Sequence, residues 1–371
     1  MPLAKDDKRP SIGAQWRQRS EILPALERSI EWTKKDSSKQ FFPMEGIEHG
    51  AALASLERFR QLLIESQSGR EFQKRFDQEF AVYKSAGWNG RGGGVLFTGY
   101  YTPILPGSET ASESYKQPLY GLPPDLAKGP RGEILGRRTQ SGSIETYPDR
   151  KAIEAGGLLH NKNLELVWLE SALDAFITHV NGSAFIKTED GELLRFGYAG
   201  KNGRPYTSLG KELVKDKRLR ADEVSLQSIR EWAKAHPDEI DKYLDRNESY
   251  VFFTPIEGNP HGSLNVPVEA GRSLATDKTL FPRGALVFVD TKLPTGLPPG
   301  KGPKTVRYRR LLLDQDTGGA IRTAGRADIY MGIGPEAERV AGRTRSPGQM
   351  YYFFLKSTLP AWERAKRKKS N

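Results

Sequence analysis

Apolar residues recur at helical spacing through the first part of the chain. Ile12, Trp16, Leu23, Leu26 and Ile30 form one stripe, Leu53, Leu56, Phe59 and Leu63 a second, and Phe72, Phe76, Phe80 and Tyr83 a third. Side chains three or four positions apart share a helix face, so each stripe predicts an amphipathic helix packed against something downstream. Pro24 lies inside the first stripe and predicts a break or kink there, because proline removes a backbone donor. At Trp88 the texture changes. A glycine turn, W-N-G-R-G-G-G, leads into V-L-F-T-G-Y-Y-T-P, Val95 to Pro103, a β-branched and aromatic run that predicts a strand. Gly99 within it signals a bulge or a close backbone approach. Tyr100 and Tyr101 fall on opposite faces, since strand side chains alternate, and one of them can offer its ring to a sugar or simply pack in the sheet.

Residues 107–150 are rich in Pro, Gly, Ser and Thr and predict loops and short strands. Leu166, Leu169, Leu173, Phe176 and Val180, spaced three, four, three and four, predict a helix that carries Glu170 and Asp174 one turn apart. N-G-S-A-F-I, residues 181–186, predicts a turn into a strand, and residues 221–246 predict two helices, the second opening at Pro237. From Tyr250 the pattern turns to strands: Y-V-F-F-T-P, then V-P-V-E-A-G-R-S-L-A-T-D, G-A-L-V-F-V-D, V-R-Y-R-R-L-L-L-D and Y-Y-F-F-L, with residues 296–304 as a Pro/Gly/Lys hairpin tip. The strand at Val95 is more like these late strands than like the loop-rich segment directly after it. An insertion joins them simply. One β-barrel would comprise residues 1–104, with the N-terminal helices, and 249–371, and a second, β-rich domain of 105–248 would be spliced into it. The fold class is mainly β with helices, α+β, and a cleft between the domains is the expected place for a binding site.

Composition narrows the chemistry. The 371 residues contain no cysteine, which excludes disulfides, thiolate metal sites and cysteine nucleophiles. The five histidines are scattered without a H-E-x-x-H pair, so neither a metal nor any other cofactor is expected. No apolar run is long enough to span a bilayer, and M-P-L-A-K-D-D does not read as a signal peptide. The formal net charge of +11 favours polyanions or anionic surfaces as partners, but no nucleic-acid motif accompanies it, and no nucleic-acid partner is expected. The basic tail, Arg364 with Lys366 to Lys369, reads as a solvated end. Ser208-x-x-Lys211 matches the nucleophile motif of penicillin-binding enzymes, but the companion S-D-N and K-T-G motifs are missing.

The most informative stretch is D-T-G-G-A-I-R-T-A-G-R-A-D-I-Y-M-G-I-G, Asp316 to Gly334. Two carboxylates stand twelve positions apart, and the alternation from Ala327 to Met331 predicts a short strand bounded by glycine turns. From these residues alone both aspartates can either cap turns or line a catalytic edge.

Several long motifs in fixed order carry a resemblance. F-T-G-Y-Y-T-P, F-G-Y-A-G-K-N-G-x-x-Y-x-S-L-G-K, S-L-Q-S-I-R-x-W, Y-V-F-F and D-T-G-G-A-I-R…D-I-Y-x-G-I-G-P-E-A, spread between Phe97 and Leu355, resemble the membrane-bound lytic murein transglycosylase A family. The resemblance implies a double-psi β-barrel with an inserted β-rich domain. The implied substrate is the glycan strand of peptidoglycan. The implied reaction is non-hydrolytic cleavage of the β-1,4 bond between N-acetylmuramic acid and N-acetylglucosamine, leaving a 1,6-anhydromuramoyl end. The family's three aspartates fall on Asp277, Asp316 and Asp328. Asp328 matches the single acid–base residue, and Asp316 is expected to support it by raising its pKa, alongside the apolar neighbours Ile329 and Tyr330. Motif position adds Thr98, Tyr100, Tyr101, Tyr206, Ser208, Gln227 and Asp277 as candidate sugar contacts, while Arg322 or Arg326 can either meet the peptide-bearing lactyl group or lie on the surface, and the surface is favoured. A monomer in the bacterial cell envelope is expected, periplasmic and outer-membrane associated in full-length form, with other cell-wall enzymes as further partners. The lipid-anchored cysteine of the family is not seen in this chain, which puts direct attachment in doubt. The alternative is a wall-glycan binding module that does not cut, since fold alone does not fix function.

Overall fold

The computed structural model describes residues 1–3, 7–130, 132–295 and 305–360. The expected hairpin tip at 296–304 and the basic tail at 364–369 lie outside the described residues. The chain divides into two compact units, residues 1–100 with 261–332 and 344–371, and residues 101–260 with 333–343.

The first unit is built on a seven-stranded sheet ordered Phe80–Lys84, Arg345–Leu355, Leu286–Pro294, Thr305–Asp316, Ser273–Ala275, Arg326–Ile333 and Val95–Thr102. The last strand returns to Arg345–Leu355, with Thr98 opposite Arg345 and Val95 opposite Gly348, so the sheet closes into a barrel. Closure leaves no free edge among the ring strands. Ser273–Ala275 runs parallel to Thr305–Asp316 and antiparallel to Arg326–Ile333. Thus two aspartate-bearing strands flank one short strand.

Alternation sorts the strand residues into two cores. Val287, Val289, Leu312, Ala327, Ile329, Met350 and Tyr352 fill the barrel. Leu286, Phe288, Leu311, Leu313 and Phe353 point outward into a second cluster with the helices. The run L-V-F-V is apolar throughout because both of its faces are covered. The covering helices are Arg19–Lys34, His49–Glu65 and Gly69–Glu79. The first continues through Pro24 rather than breaking there, held by Ile22, Ala25, Leu26 and Ile30 on its buried face. The third stripe is only half helical. The helix stops at Glu79, and Phe80 and Tyr83 belong to the strand paired with Arg345–Leu355, where Phe80 stacks 5.2 Å from Phe76.

A buried polar knot fastens the barrel's interior. Asp314, 0% exposed, accepts hydrogen bonds from the Thr276 hydroxyl at 2.8 and 2.9 Å and from the Tyr352 hydroxyl at 2.7 Å, and pairs with buried Lys278.

The second unit has a six-stranded sheet ordered Val251–Pro255, Leu193–Lys201, Ala184–Lys187, Ile104–Ser108, Glu165–Leu169 and Gln117–Tyr120, and a small sheet of Leu126–Lys128, Ile134–Arg138 and Ile144–Glu145. Two expectations change here. Leu166 and Leu169 lie in a strand, and the helix begins only at Ala172, after Ser171 caps it. Glu170 therefore precedes the helix that carries Asp174. V-F-F-T-P pairs with Leu193–Lys201 rather than with the barrel strands, because its apolar residues complete this unit's own core with Phe196 and Leu119. Helix Gly334–Ala341 also belongs to this unit, held by Glu338, which accepts from Arg230 at 3.2 Å, while Arg230 also reaches Asp174 at 2.6 Å. No helix among the described residues is long and apolar enough to cross a membrane.

Removing one partner of a buried ion pair strands the other charge. Asp314→Ala should lower the stability of the barrel unit by about 3–5 kcal/mol, read as an earlier urea midpoint for the barrel's near-UV circular dichroism. Lys278→Met combined with Asp314→Leu should recover only the part due to the stranded charge, because the Thr276 and Tyr352 hydroxyls still lose their acceptor.

Candidate active site

The strand Arg326–Ile333 shows how alternation places chemistry. Ala327 and Ile329, both 0% exposed, point into the barrel. Arg326, Asp328 and Tyr330 therefore share the other face. Asp328 sits opposite Ala275, whose small side chain leaves room beside the carboxyl. The neighbouring strand supplies Thr98, whose hydroxyl donates to Asp328 Oδ1. Arg326 Nη2 donates to the same Thr98 oxygen at 3.1 Å and lies 3.6 Å from Asp328 Oδ1.

Asp328 keeps 19% of its side-chain surface open, so it is sunk yet reachable. Burial pushes its pKa above the ordinary carboxyl range, while the Arg326 charge and the bond from Thr98 pull it down; the net shift is upward. The expected sources of that rise need revision. Ile329 faces the barrel interior, and the upward push comes from burial rather than from the Asp316 charge. Tyr330 does share the Asp328 face. Its ring packs 5.1 Å from that of Tyr100, tilted by 48°.

Asp316 ends the strand Thr305–Asp316, and its position is fixed from several sides. Gln315 next to it donates to the Ala25 carbonyl at 2.8 Å and to Ser29 at 3.0 Å, and accepts from Ser273 at 2.7 Å. The backbone N–H groups of Ser263 and Thr317 both donate to Asp316 Oδ1 at 2.8 Å. Gly262 makes this approach possible: a Cβ there would stand 2.6 Å from the Gln315 carbonyl oxygen and 3.1 Å from Asp316 Cγ. Burial again raises the carboxyl's pKa, opposed by these donors and by the Lys278 charge. Tyr100 links the two acids. Its buried hydroxyl interacts with both carboxylates, with Asp316 by charge and as a hydrogen-bond donor and with Asp328 more weakly by charge alone. Burial and those two negative charges hold the phenol protonated.

Of the residues singled out from sequence, Thr98, Tyr100, Asp316 and Asp328 thus belong to one constellation in the first unit. Asp277 does not join it. It is 5% exposed, and its carboxylate accepts from the Thr279 N–H at 3.0 Å and hydroxyl at 2.7 Å, closing a turn. The remaining four belong to the second unit. Tyr101 is 3% exposed and presents no ring face to a ligand. Ser208 caps the helix Leu209–Lys215, Gln227 is exposed and reaches Glu231 at 2.9 Å, and Tyr206 is half-buried. Sequence reasoning misplaced Arg326 on the surface and passed over Gly262 and Ser263. The first was findable, because a residue two positions before Asp328 shares its strand face. The other two emerge only from the fold. Arg322 is a surface residue as expected, whereas Arg326 is not. Among the described residues no group of His, Asp and Glu could hold a metal.

Known proteins share this architecture. The family description "MltA specific insert domain" matches residues 96–254, and "3D domain" matches residues 272–354. The membrane-bound lytic murein transglycosylase A of Escherichia coli is 35% identical over 263 residues, 70% of this chain and 65% of that protein. The Vibrio cholerae protein of the same name is 31% identical over 269 residues, 72% of this chain and 67% of that protein. This chain belongs to the membrane-bound lytic murein transglycosylase A family. Its match spans about two thirds of the length of these relatives. Among solved structures, a membrane-bound lytic murein transglycosylase from Agrobacterium tumefaciens superposes with a TM-score of 0.75 at 27% identity, covering 96% of this chain and 97% of that one. Escherichia coli MltA with bound chitohexaose gives a TM-score of 0.70 at 27% identity, covering 95% and 93%. Membership of the transglycosylase A family agrees with the double-psi barrel and its β-rich insert.

A carboxyl whose pKa is raised by folding binds its proton more tightly in the folded chain than in the unfolded one. Stability then falls as pH rises from the unfolded carboxyl's pKa through the folded one. Asp328→Asn removes that penalty. The variant should melt at a higher temperature than the parent at neutral pH, and the difference should close as the pH drops below the range of an ordinary aspartate. An equal difference at every pH would contradict the assigned direction.

Proposed function

We propose that this protein is a peptidoglycan lytic transglycosylase, with Asp328 as its sole acid and base. The observation that carries the reading is a reachable carboxyl, raised in pKa by burial and anchored through one oxygen by Thr98. Such a group can still hold a proton at pH values where an exposed aspartate has lost it, which general acid catalysis requires.

Ordinary glycosidases use two carboxyl groups, one as acid and one as nucleophile or activator of water. Here Asp328 donates its proton to the glycosidic oxygen, and the bond from that oxygen to C1 of N-acetylmuramic acid breaks. The resulting carboxylate takes the proton of the sugar's own 6-hydroxyl, whose oxygen bonds to C1. A 1,6-anhydro ring closes, N-acetylglucosamine leaves with its 4-hydroxyl restored, and Asp328 ends protonated. No water is consumed. The attack is intramolecular, and well-oriented intramolecular nucleophiles reach effective molarities on the order of 10⁵ M or more. Asp316 supports the site through Tyr100 rather than by direct action on Asp328. Tyr206, Ser208 and Gln227 are proposed glycan contacts of the insert, with Gln227 the most accessible. The substrate lies in the bacterial cell envelope, and glycan strands of peptidoglycan are the proposed partner.

Digestion of purified sacculi followed by mass analysis tests this reading. The products should lack a reducing muramic end and weigh one water less than hydrolysis products. Asp328→Ala should lower their release by at least about 10²-fold while sedimentation with sacculi persists. Products carrying an added water would make the protein a hydrolase, and binding without any release by the parent protein would make it a binding module.

A further inference from the structure

Arg326 is the cation beside the acid, and it reaches Asp328 along two routes. The first is a hydrogen-bond chain whose direction is fixed at its Arg326 end. An arginine has donors and no acceptor, and it stays charged at any pH the protein survives. Its Nη2 therefore donates to Thr98 Oγ1 across their 3.1 Å contact. A threonine hydroxyl has one proton. With one lone pair taken by Arg326, that proton points to Asp328 Oδ1, and the guanidinium charge 3.6 Å from Oδ1 disfavours the reverse arrangement in which Oδ1 carries a proton. Oδ1 is thus held as an acceptor, and the acid's own proton is left to Oδ2. The second route is direct charge, across 3.6 Å to Oδ1 with side chains only 30% and 19% exposed.

The surroundings offer one further cation on this sheet face, Arg345 opposite Thr98, but it is exposed and stands one strand farther from Asp328 than Arg326 does. Val95–Thr102 offers Thr98 and the protonated phenol of Tyr100. Ser273–Ala275 offers Ala275 opposite the acid. Thr305–Asp316 offers Asp316, already engaged by two N–H groups and countered by Lys278. The acid's own strand offers Tyr330 besides Arg326. Arg322, on the approach to that strand, is exposed and donates to the Gly319 carbonyl instead. Arg326 Nε is buried without a hydrogen-bond partner, a cost that a guanidinium stretched into water would not bear.

We propose that Arg326 is a positioning residue that acts on the acid through Thr98: it assigns the transferable proton to Oδ2 of Asp328 and sets the alkaline limit of the reaction. The inference rests on the reading of Asp328 as the general acid. A cation near a carboxylate favours its charged form, so Arg326 makes the acid lose its proton earlier as pH rises. The same device readies the second half-reaction, in which Asp328 must be a base.

The experiment compares the full chain with Arg326→Gln, Arg326→Lys and Thr98→Val, following initial release of anhydromuropeptides from sacculi across acidic to alkaline pH, with thermal melting to verify folding. In Arg326→Gln the alkaline limb of the rate profile should move up by about one pH unit, the low end of what an adjacent opposite charge does, and the maximal rate should fall about tenfold as the proton loses its fixed place. Arg326→Lys should bring the limb back toward the parent's position, because it keeps the charge. Thr98→Val should lower the maximal rate at least as much as Arg326→Gln. A folded Arg326→Gln whose limb stays at the parent's position overturns the proposal, as does an Arg326→Lys limb displaced as far as that of Arg326→Gln. If the parent releases no anhydro products at all, the acid assignment fails first and carries this inference down with it.

Discussion

Closure of the barrel by the strand Val95–Thr102 is the constraint on which the site depends. Thr98 and Asp328 are 230 residues apart in sequence, yet one must hydrogen-bond to the other. They can do so because the Thr98 strand pairs with Arg345–Leu355 on one side and neighbours Arg326–Ile333 on the other. A ring of strands has little freedom to slip: a shift of one residue turns every core side chain outward. Ala327 and Ile329 hold the register from inside, and Arg326, Asp328 and Tyr330 are placed outside by the same pleat. The packing that stabilises the barrel is therefore the packing that aims the acid.

The acid's position is a compromise between opposing electrostatic effects. Burial favours the protonated form, while Arg326 and Thr98 favour the carboxylate. Either influence alone would leave a group fit for only half of the proposed reaction, which needs a donor and then an acceptor. Asp316 is held differently, clasped by two backbone N–H groups in space that only Gly262 leaves open. It shapes the site's polarity through Tyr100. The deeper pair Lys278 and Asp314 is fully enclosed and serves the barrel, although the Lys278 charge still reaches Asp316.

Much of this was legible in the chain. The amphipathic stripes named the three covering helices because burial on one face imposes a period that survives in the sequence. The strand bearing Asp328 was visible from its alternation and bounding glycines. Short apolar runs were less legible. E-L-V-W-L shares its leucine spacing with a helix and is a strand, because neighbours on both sides supply its hydrogen bonds. Phe80 and Tyr83 continue a helical stripe by count but belong to a strand, since pairing with Arg345–Leu355 outweighs local preference. V-F-F-T-P gives no sign in its own composition of which sheet it will join.

The sequence by itself determined which residues were candidates for the reacting groups, the absence of thiol chemistry, and the face on which each side chain of a strand would stand, since these depend on residue type and on a period of two. The tertiary structure decided which aspartates would meet solvent, which would be spent in turns, and which cation would stand beside the acid. Asp277, Asp314, Asp316 and Asp328 are the same residue type with four different fates. The difference lies in burial, partners and the closing of the ring, and each of those is set by contacts between segments far apart in the chain.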